Sequence, residues 1–219
     1  MFLHDTHLPH VLPPSAYTSQ DQFERELDVL FKPAWHFIGS TSELPKEGDF
    51  ITAHVLKHPL LIWRQGGRFQ CFLNVCPHRF SQLTCKPCGH FDERLQCQYH
   101  GWEFDFDGQT QKIPDARSFK PLTKGALGLQ KIRTDTLGQL LFVNLTDDAR
   151  PLRDWLGERT TALLAELFPP SFRLVHVEDF EVEANWKCRM ENAVESYHLD
   201  MVHQATFGQV IVRAWRPRV

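Results

Sequence analysis

Cys76-Pro77-His78 and Cys97-Gln98-Tyr99-His100 are the residues whose types and spacing point most directly to chemistry. Eighteen residues separate His78 from Cys97, so the pattern is C-x-H-x18-C-x2-H. Each pair offers one thiolate and one imidazole. That donor set suits a [2Fe–2S] centre with two cysteines on one iron and two histidines on the other. Exchanging two anionic thiolates for neutral imidazoles lowers the negative charge on the cluster and raises its reduction potential above that of an all-cysteine cluster. Zinc accepts the same four side chains. Zinc motifs of this composition, however, usually pair Cys with Cys and His with His, and here each pair is mixed.

A second group lies in Asn192-Ala193-Val194-Glu195-Ser196-Tyr197-His198-Leu199-Asp200-Met201-Val202-His203. Two histidines with one carboxylate form the facial arrangement of non-haem Fe(II) oxygenases, which leaves the opposite positions for oxygen and substrate. The local pattern is that of a third helix starting near Trp186. On a regular helix Glu195 and His198 stand about 60° apart, but His198 and His203 about 140° apart. The helix is therefore expected to break or bend before His203. Taken alone, the same two histidines also read as ordinary polar residues near a helix end.

The runs CPHR at Cys76 to Arg79 and CQYHGW at Cys97 to Trp102 resemble the Rieske family, as do Phe104-Asp105-Phe106-Asp107-Gly108 and Ile113-Pro114. The resemblance extends over residues 36 to 150. It implies that Cys76 and Cys97 hold one iron of a [2Fe–2S] cluster and His78 and His100 the other. The N-x-x-E-x-Y-H-x4-H pattern, preceded by Asn185-Trp186-Lys187, resembles the catalytic domain of Rieske non-haem iron oxygenases. That likeness implies that His198 and His203 bind a mononuclear Fe(II). Glu195 would link a Rieske histidine of a neighbouring subunit to that iron by hydrogen bonding, with Asn192 and Tyr197 supporting the ligands. It also implies electrons from a ferredoxin or flavin reductase, activation of O2 for hydroxylation or demethylation of a small organic substrate, and a homotrimer in a full-length form. Many ring-hydroxylating dioxygenases carry Asp where this chain has Glu195. Glu there is more like the oxidisers of choline, betaine and carnitine-type quaternary amines, so quaternary amines and aromatic compounds both stay open as substrates. The family's third iron ligand is a carboxylate far downstream, and Gln204 to Val219 contains neither Asp nor Glu. The catalytic domain is thus expected to be truncated. A Rieske electron-transfer protein or an inactive fragment is the alternative.

Strand patterns deliver the first group to its place. Leu60 to Arg64 and Phe69 to Val75 flank Gln65-Gly66-Gly67-Arg68, a hairpin signal. Phe69, Cys71, Leu73 and Val75 alternate with Gln70, Phe72 and Asn74, and this run leads into Cys76. After His100, Trp102, Phe104 and Phe106 alternate with acidic residues up to the turn dipeptide Asp107-Gly108. Further strands are expected at Phe50 to Leu56, Gln139 to Leu145 and Phe172 to Ala184. A helix from Gln20 to Phe31 starts at a capping-box pattern, Ser19 with Gln22, and ends at Lys32-Pro33. Another runs from Leu152 or Asp154 to Leu167, before Pro169-Pro170.

These elements give an α+β chain: an N-terminal helical segment at 1–35, an all-β Rieske [2Fe–2S] domain at 36–150, and an incomplete α+β, helix-grip-like catalytic domain at 151–219. The formal net charge of −3 gives no electrostatic case for nucleic acid or an anionic membrane. No apolar run reaches the roughly 18 residues of a membrane span, and Met1 to Pro14 lacks the basic and apolar regions of a signal peptide. A cytoplasmic setting follows, in which six cysteines are thiols instead of a disulfide framework. Cys85-Lys86-Pro87-Cys88 then reads as a loop with two thiols, and Cys71 and Cys188 as small buried apolar residues.

Overall fold

Alternation along β3 (His58–Gln65) decides the architecture. Leu60 and Ile62 enter one apolar core and Leu61 and Trp63 another, and all four are fully buried. A strand points successive side chains to opposite faces, so one with no polar face must lie inside, covered on both sides. β3 does so between β2 (Asp49–Val55) and β4 (Arg68–Leu73). With β1 (Trp35–Ser40), β5 (Cys88–His90), β9 (Lys131–Leu137) and β10 (Leu140–Asn144) they form a seven-stranded antiparallel sheet ordered β1-β10-β9-β4-β3-β2-β5. A separate three-stranded sheet contains β6 (Leu95–Gln96), β7 (Glu103–Phe104) and β8 (Thr110–Lys112). The computed structural model describes residues 12–206 apart from 124, 196 and 204. The beginning of the N-terminal segment and most of the stretch after His203 lie outside the described residues.

Contacts divide the chain into two units, residues 26–177 and residues 1–25 with 178–219. In the larger unit, one core carries Phe50, Leu61, Trp63, Phe72, Leu95, Trp102, Phe104 and Phe106, and it also takes in Cys76 and Cys97. The expected hairpin is β3–β4, with Trp63 opposite Gln70 and Gln65 opposite Arg68. Trp102, Phe104 and Phe106 all turn inward, as their alternation predicts. Helices α3 (Leu152–Leu156) and α4 (Glu158–Leu167) follow the sheet. One continuous helix was expected here; Gly157, at φ +77°, ends the first and begins the second, because a left-handed residue cannot continue a right-handed helix.

In the smaller unit, α1 (Ser15–Thr18) and α5 (Trp186–Val194) meet where the Tyr17 hydroxyl donates to Glu191 at 2.6 Å and Asn185 Nδ2 donates to the Tyr17 carbonyl at 3.1 Å. The Ser19 hydroxyl accepts from the Gln22 N–H at 3.3 Å and starts α2 (Gln20–Glu26), which leads into a π-helical turn at Leu27–Phe31.

Two expectations fail. Residues 172–184 form no strand, and Val175, Phe180 and Val182 are exposed. A strand exists through its ladder, and among the described residues no strand runs beside this stretch. Cys188 is exposed, not buried. The inward position of that helix turn belongs to Lys187, whose ammonium lies 5.7 Å from the Tyr17 ring and 5.1 Å from the Trp186 ring, a cation–π arrangement that tolerates burial. Among the described residues no helix is long and apolar enough to cross a membrane.

Gly108 closes the Asp105–Gly108 turn at φ +75°, and a Cβ there would stand 2.6 Å from Phe72 Cε1. Gly66, in the β3–β4 turn at φ +60°, has open space around it. Gly108→Ala therefore adds a clash to the backbone cost and should destabilise by about 2–4 kcal/mol, against about 1–2 kcal/mol for Gly66→Ala. Urea midpoints at unchanged slope measure the difference.

Candidate functional site

Two six-residue turns present the cysteines and histidines, and they are built alike. In the first, the Cys76 N–H donates to the Ser81 carbonyl at 2.8 Å and the Phe80 N–H donates to the Cys76 carbonyl at 2.9 Å. In the second, the Cys97 N–H donates to the Trp102 carbonyl at 2.8 Å and the Gly101 N–H donates to the Cys97 carbonyl at 3.0 Å. The fifth residue of each is left-handed, Phe80 at φ +56° and Gly101 at φ +68°. The first turn leaves β4 through a bridge between Val75 and Gln82; the second joins β6 to β7.

This construction repeats the sulfur environment as well. Backbone N–H groups of His78 and Arg79 reach the Cys76 sulfur, and those of Tyr99 and His100 reach the Cys97 sulfur. Amide donors favour the anionic form of a thiol. The two thiols are in contact with each other and nearly inaccessible. Burial pushes the Cys76 thiol up to about 11, with the neighbouring Cys97 adding to the rise. At Cys97 burial also opposes ionisation, but the Tyr99 amide, the Ser81 hydroxyl and the Cys76 thiol outweigh it and bring the thiol below its ordinary value.

The imidazoles are paired too, with ring centroids of His78 and His100 4.7 Å apart. Burial, then the neighbouring His100 and Arg79, hold His78 below the usual histidine value, which keeps its ring in the neutral form a metal needs. His78 lies flat on Trp102, centroids 4.9 Å apart and planes 8° apart, and Phe119 meets both rings edge-on. Tyr99 packs on His100 at 3.8 Å and is itself exposed. Thiol beside thiol and imidazole beside imidazole is the pairing a two-iron cluster asks for, whereas a tetrahedral ion takes all four donors at one position.

The sixth residues cross over. Trp102 of the second turn stacks on His78 of the first, and the Ser81 hydroxyl of the first lies 3.6 Å from the Cys97 sulfur of the second. Sequence reasoning passed over Ser81, Phe80 and Phe119. Aligning C-P-H-R-F-S with C-Q-Y-H-G-W from their cysteines was the signal available for the first two.

The Cys85-x-x-Cys88 thiols are both exposed; Cys85 lies in the connecting loop, and Cys88 opens the edge strand β5 opposite Ile51. Gln98 Nε2 donates to the Gln82 carbonyl at 3.2 Å and to the Cys85 sulfur at 3.4 Å, a tie from the second turn to the loop that follows the first.

The second group leaves regular helix before His203, as its angles require. α5 ends at Val194, Glu195 is extended, and a short helix α6 (Leu199–Val202) follows with His198 before it and His203 after it. At the first break the Glu195 carboxylate accepts the N–H groups of Tyr197 and His198 in place of helical bonds. Flanking one turn of helix, the two histidine rings stand 5.5 Å apart. Glu195 also meets His198 Nδ1, and this contact is the main reason its carboxyl stays below the usual range. A carboxylate on Nδ1 fixes the ring and leaves Nε2 free of that contact. Asn192 and Tyr197 are exposed, and no described contact carries their side chains to the histidines. Among the described residues no three His, Cys, Asp or Glu side chains converge on a single ion position.

Comparison with known proteins gives two family matches. Residues 34–132 match the Rieske [2Fe-2S] domain and residues 168–213 the ring hydroxylating alpha subunit (catalytic domain). The large subunit of anthranilate 1,2-dioxygenase from Burkholderia cepacia is 30% identical over 212 residues, 91% of this chain and 50% of that protein. Chloroplastic choline monooxygenase from Spinacia oleracea is 30% identical, covering 91% of this chain and 46% of its own length. Among solved structures, the quaternary ammonium Rieske monooxygenase CntA with L-carnitine superposes with a TM-score of 0.83 at 26% identity, over 91% of this chain and 56% of that one. The chain spans about half the length of the curated relatives it matches.

Trp102 is 1% exposed and is the surface against which His78 is held. Trp102→Leu should cost about 2–3 kcal/mol by lost packing, read as a lower urea midpoint.

Proposed function

We propose that this chain, which joins a Rieske [2Fe–2S] domain to ring-hydroxylating alpha-subunit catalytic sequence, acts as the cluster-bearing part of an O2-activating oxygenase. Its relatives are alpha subunits of Rieske mono- and dioxygenases. In this reading Cys76 and Cys97 ligate one iron of the cluster and His78 and His100 the other. His198 and His203 ligate the mononuclear Fe(II). The cluster supplies a one-electron store, and the mononuclear iron supplies the site at which O2 is activated for hydroxylation or demethylation.

The remaining roles belong to the protein. Amides at Tyr99, His100, His78 and Arg79 stabilise the thiolates, and Trp102 and Phe119 hold the half-buried His78 in a fixed orientation. Glu195 positions His198 and in an assembled oligomer, a homotrimer in our reading, connects that ligand to a neighbour's cluster histidine. Electrons come from a ferredoxin or flavin reductase, and the working division of the chain stays 1–35, 36–150 and 151–219. The observation that carries the reading is the presentation of a thiol pair and an imidazole pair by two equivalent turns. For the substrate we favour a small quaternary amine, on the strength of Glu195 and of likeness to choline monooxygenase and to CntA. Likeness to anthranilate 1,2-dioxygenase makes an aromatic acid the competing class.

Iron and acid-labile sulfide per purified chain test this directly. About two irons with two sulfides report the cluster, and about one further iron, lost in His203→Ala, reports the mononuclear site. Two irons unchanged by His203→Ala would leave a cluster-only electron carrier; zinc without sulfide would end the proposal. His100→Cys, where a cluster assembles, should lower its potential because a thiolate adds negative charge. An unchanged potential would remove His100 from the ligand set.

A further inference from the structure

Ser81 touches both cysteines. Its carbonyl accepts the Cys76 N–H at 2.8 Å inside the first turn, and its hydroxyl lies 3.6 Å from the Cys97 sulfur across the gap to the second. Every other donor to these sulfurs described above is a backbone amide that any sequence would supply or the other thiol. Ser81 is the hydroxyl side chain that reaches them. It is half-buried and Cys97 is 2% exposed, so water competes weakly for this contact.

We propose that the Ser81 hydroxyl donates a hydrogen bond to the Cys97 sulfur of the bound cluster and thereby raises the reduction potential above what the four ligands alone would set. This rests on the reading of Cys97 as an iron ligand. A ligating cysteine has lost its proton, so of the two atoms only the hydroxyl can donate. On reduction one electron enters from an added one-electron reductant, no bond is made or broken, and the negative charge shared by the sulfurs rises by one. A donor aimed at sulfur is stronger toward the more negative state, and hydrogen bonds to the sulfurs are among the features that set the potentials of such clusters. Ser81 is a positioning and tuning residue in this scheme; it does not meet substrate.

Its sequence position explains the reach. Phe80 is held left-handed at φ +56°, a conformation that costs a non-glycine residue roughly 1–2 kcal/mol, and it turns the chain so that Ser81 faces back over Cys76. The second turn ends on Trp102 instead, and there the crossing contact is a ring on His78. One turn thus contributes polarity to the thiolate side and the other contributes packing to the imidazole side.

The test is a mediated redox titration of the cluster-loaded chain, followed by visible absorption and EPR, on wild type, Ser81→Ala, Ser81→Val, Ser81→Thr and Gln98→Ala. Thr and Val share a shape and differ in the hydroxyl. Gln98→Ala removes a side-chain tie from the second turn to the loop that follows the first, without touching a donor to Cys97. We expect Ala and Val to lower the ratio of reduced to oxidised cluster at fixed potential about tenfold, ~59 mV for one electron, while Thr and Gln98→Ala stay near wild type. Ala or Val, whichever assembles a cluster, at the wild-type potential would overturn the proposal. So would a fall of equal size in Thr and Gln98→Ala, since that would mean loosened turns. Absence of a [2Fe–2S] spectrum in the wild type would instead overturn the ligand assignment beneath it.

Discussion

Two thiols are held side by side out of water, and the two turns that carry them are built around that constraint. A buried thiol pair resists ionising, and here the resistance falls unevenly, with Cys76 pushed up and Cys97 brought down. The backbone meets it with two turns that aim paired N–H groups at each sulfur. Those turns keep their shape because each cysteine's own N–H and carbonyl are tied within them. They stand on strands that cannot shift register. β3 is buried on both faces, and a one-residue slip would exchange its two apolar faces and carry the adjoining turn out of place. The cysteines belong to the same core as Trp63 and Phe72. Packing and ligand geometry are therefore one feature here.

The second group is held by different means. No sheet fixes His198 and His203; a single helical turn with a histidine at either end sets their separation. Glu195 serves twice, first as the acceptor that ends helical geometry and then as the partner of the His198 ring. A carboxylate that shapes the backbone and orients a ligand makes both depend on its ionised state. That state is favoured here by the contact with His198. A chain of about half its relatives' length carries this part of the catalytic sequence in a unit separate from the cluster core.

Most of the sheet was legible because half-buried and fully buried strands write their period into the sequence. Trp102, Phe104 and Phe106 read correctly from alternation alone, and so did the hairpin over Gly66-Gly67. Residues 172–184 show the same alternation and form no strand among the described residues, since local pattern does not contain the partner that a ladder requires. A break before His203 was legible from helical angles, but not that Glu195 is the acceptor that interrupts the helix. Gly157 splits a helix that periodicity read as continuous. Cys188, expected inside, is exposed, while the adjacent Lys187 is buried against two aromatic rings, one of them distant in sequence. Cys76, His78, Cys97 and His100 stood out by type and spacing, and the structure brings the two thiols together and the two imidazoles together. The crossing contacts of Ser81 and Trp102 were not, since they depend on the fold of both turns at once.

The central claim is that two turns of one chain place two thiolates on one iron and two imidazoles on its partner. Pulsed EPR on the reduced protein, with 15N-labelled histidine, asks this of the ligands themselves. The account predicts 15N couplings from two directly bound histidine nitrogens, one of which disappears in His78→Cys and the other in His100→Cys. A cluster without histidine nitrogen coupling, or one whose couplings survive both substitutions, would contradict it.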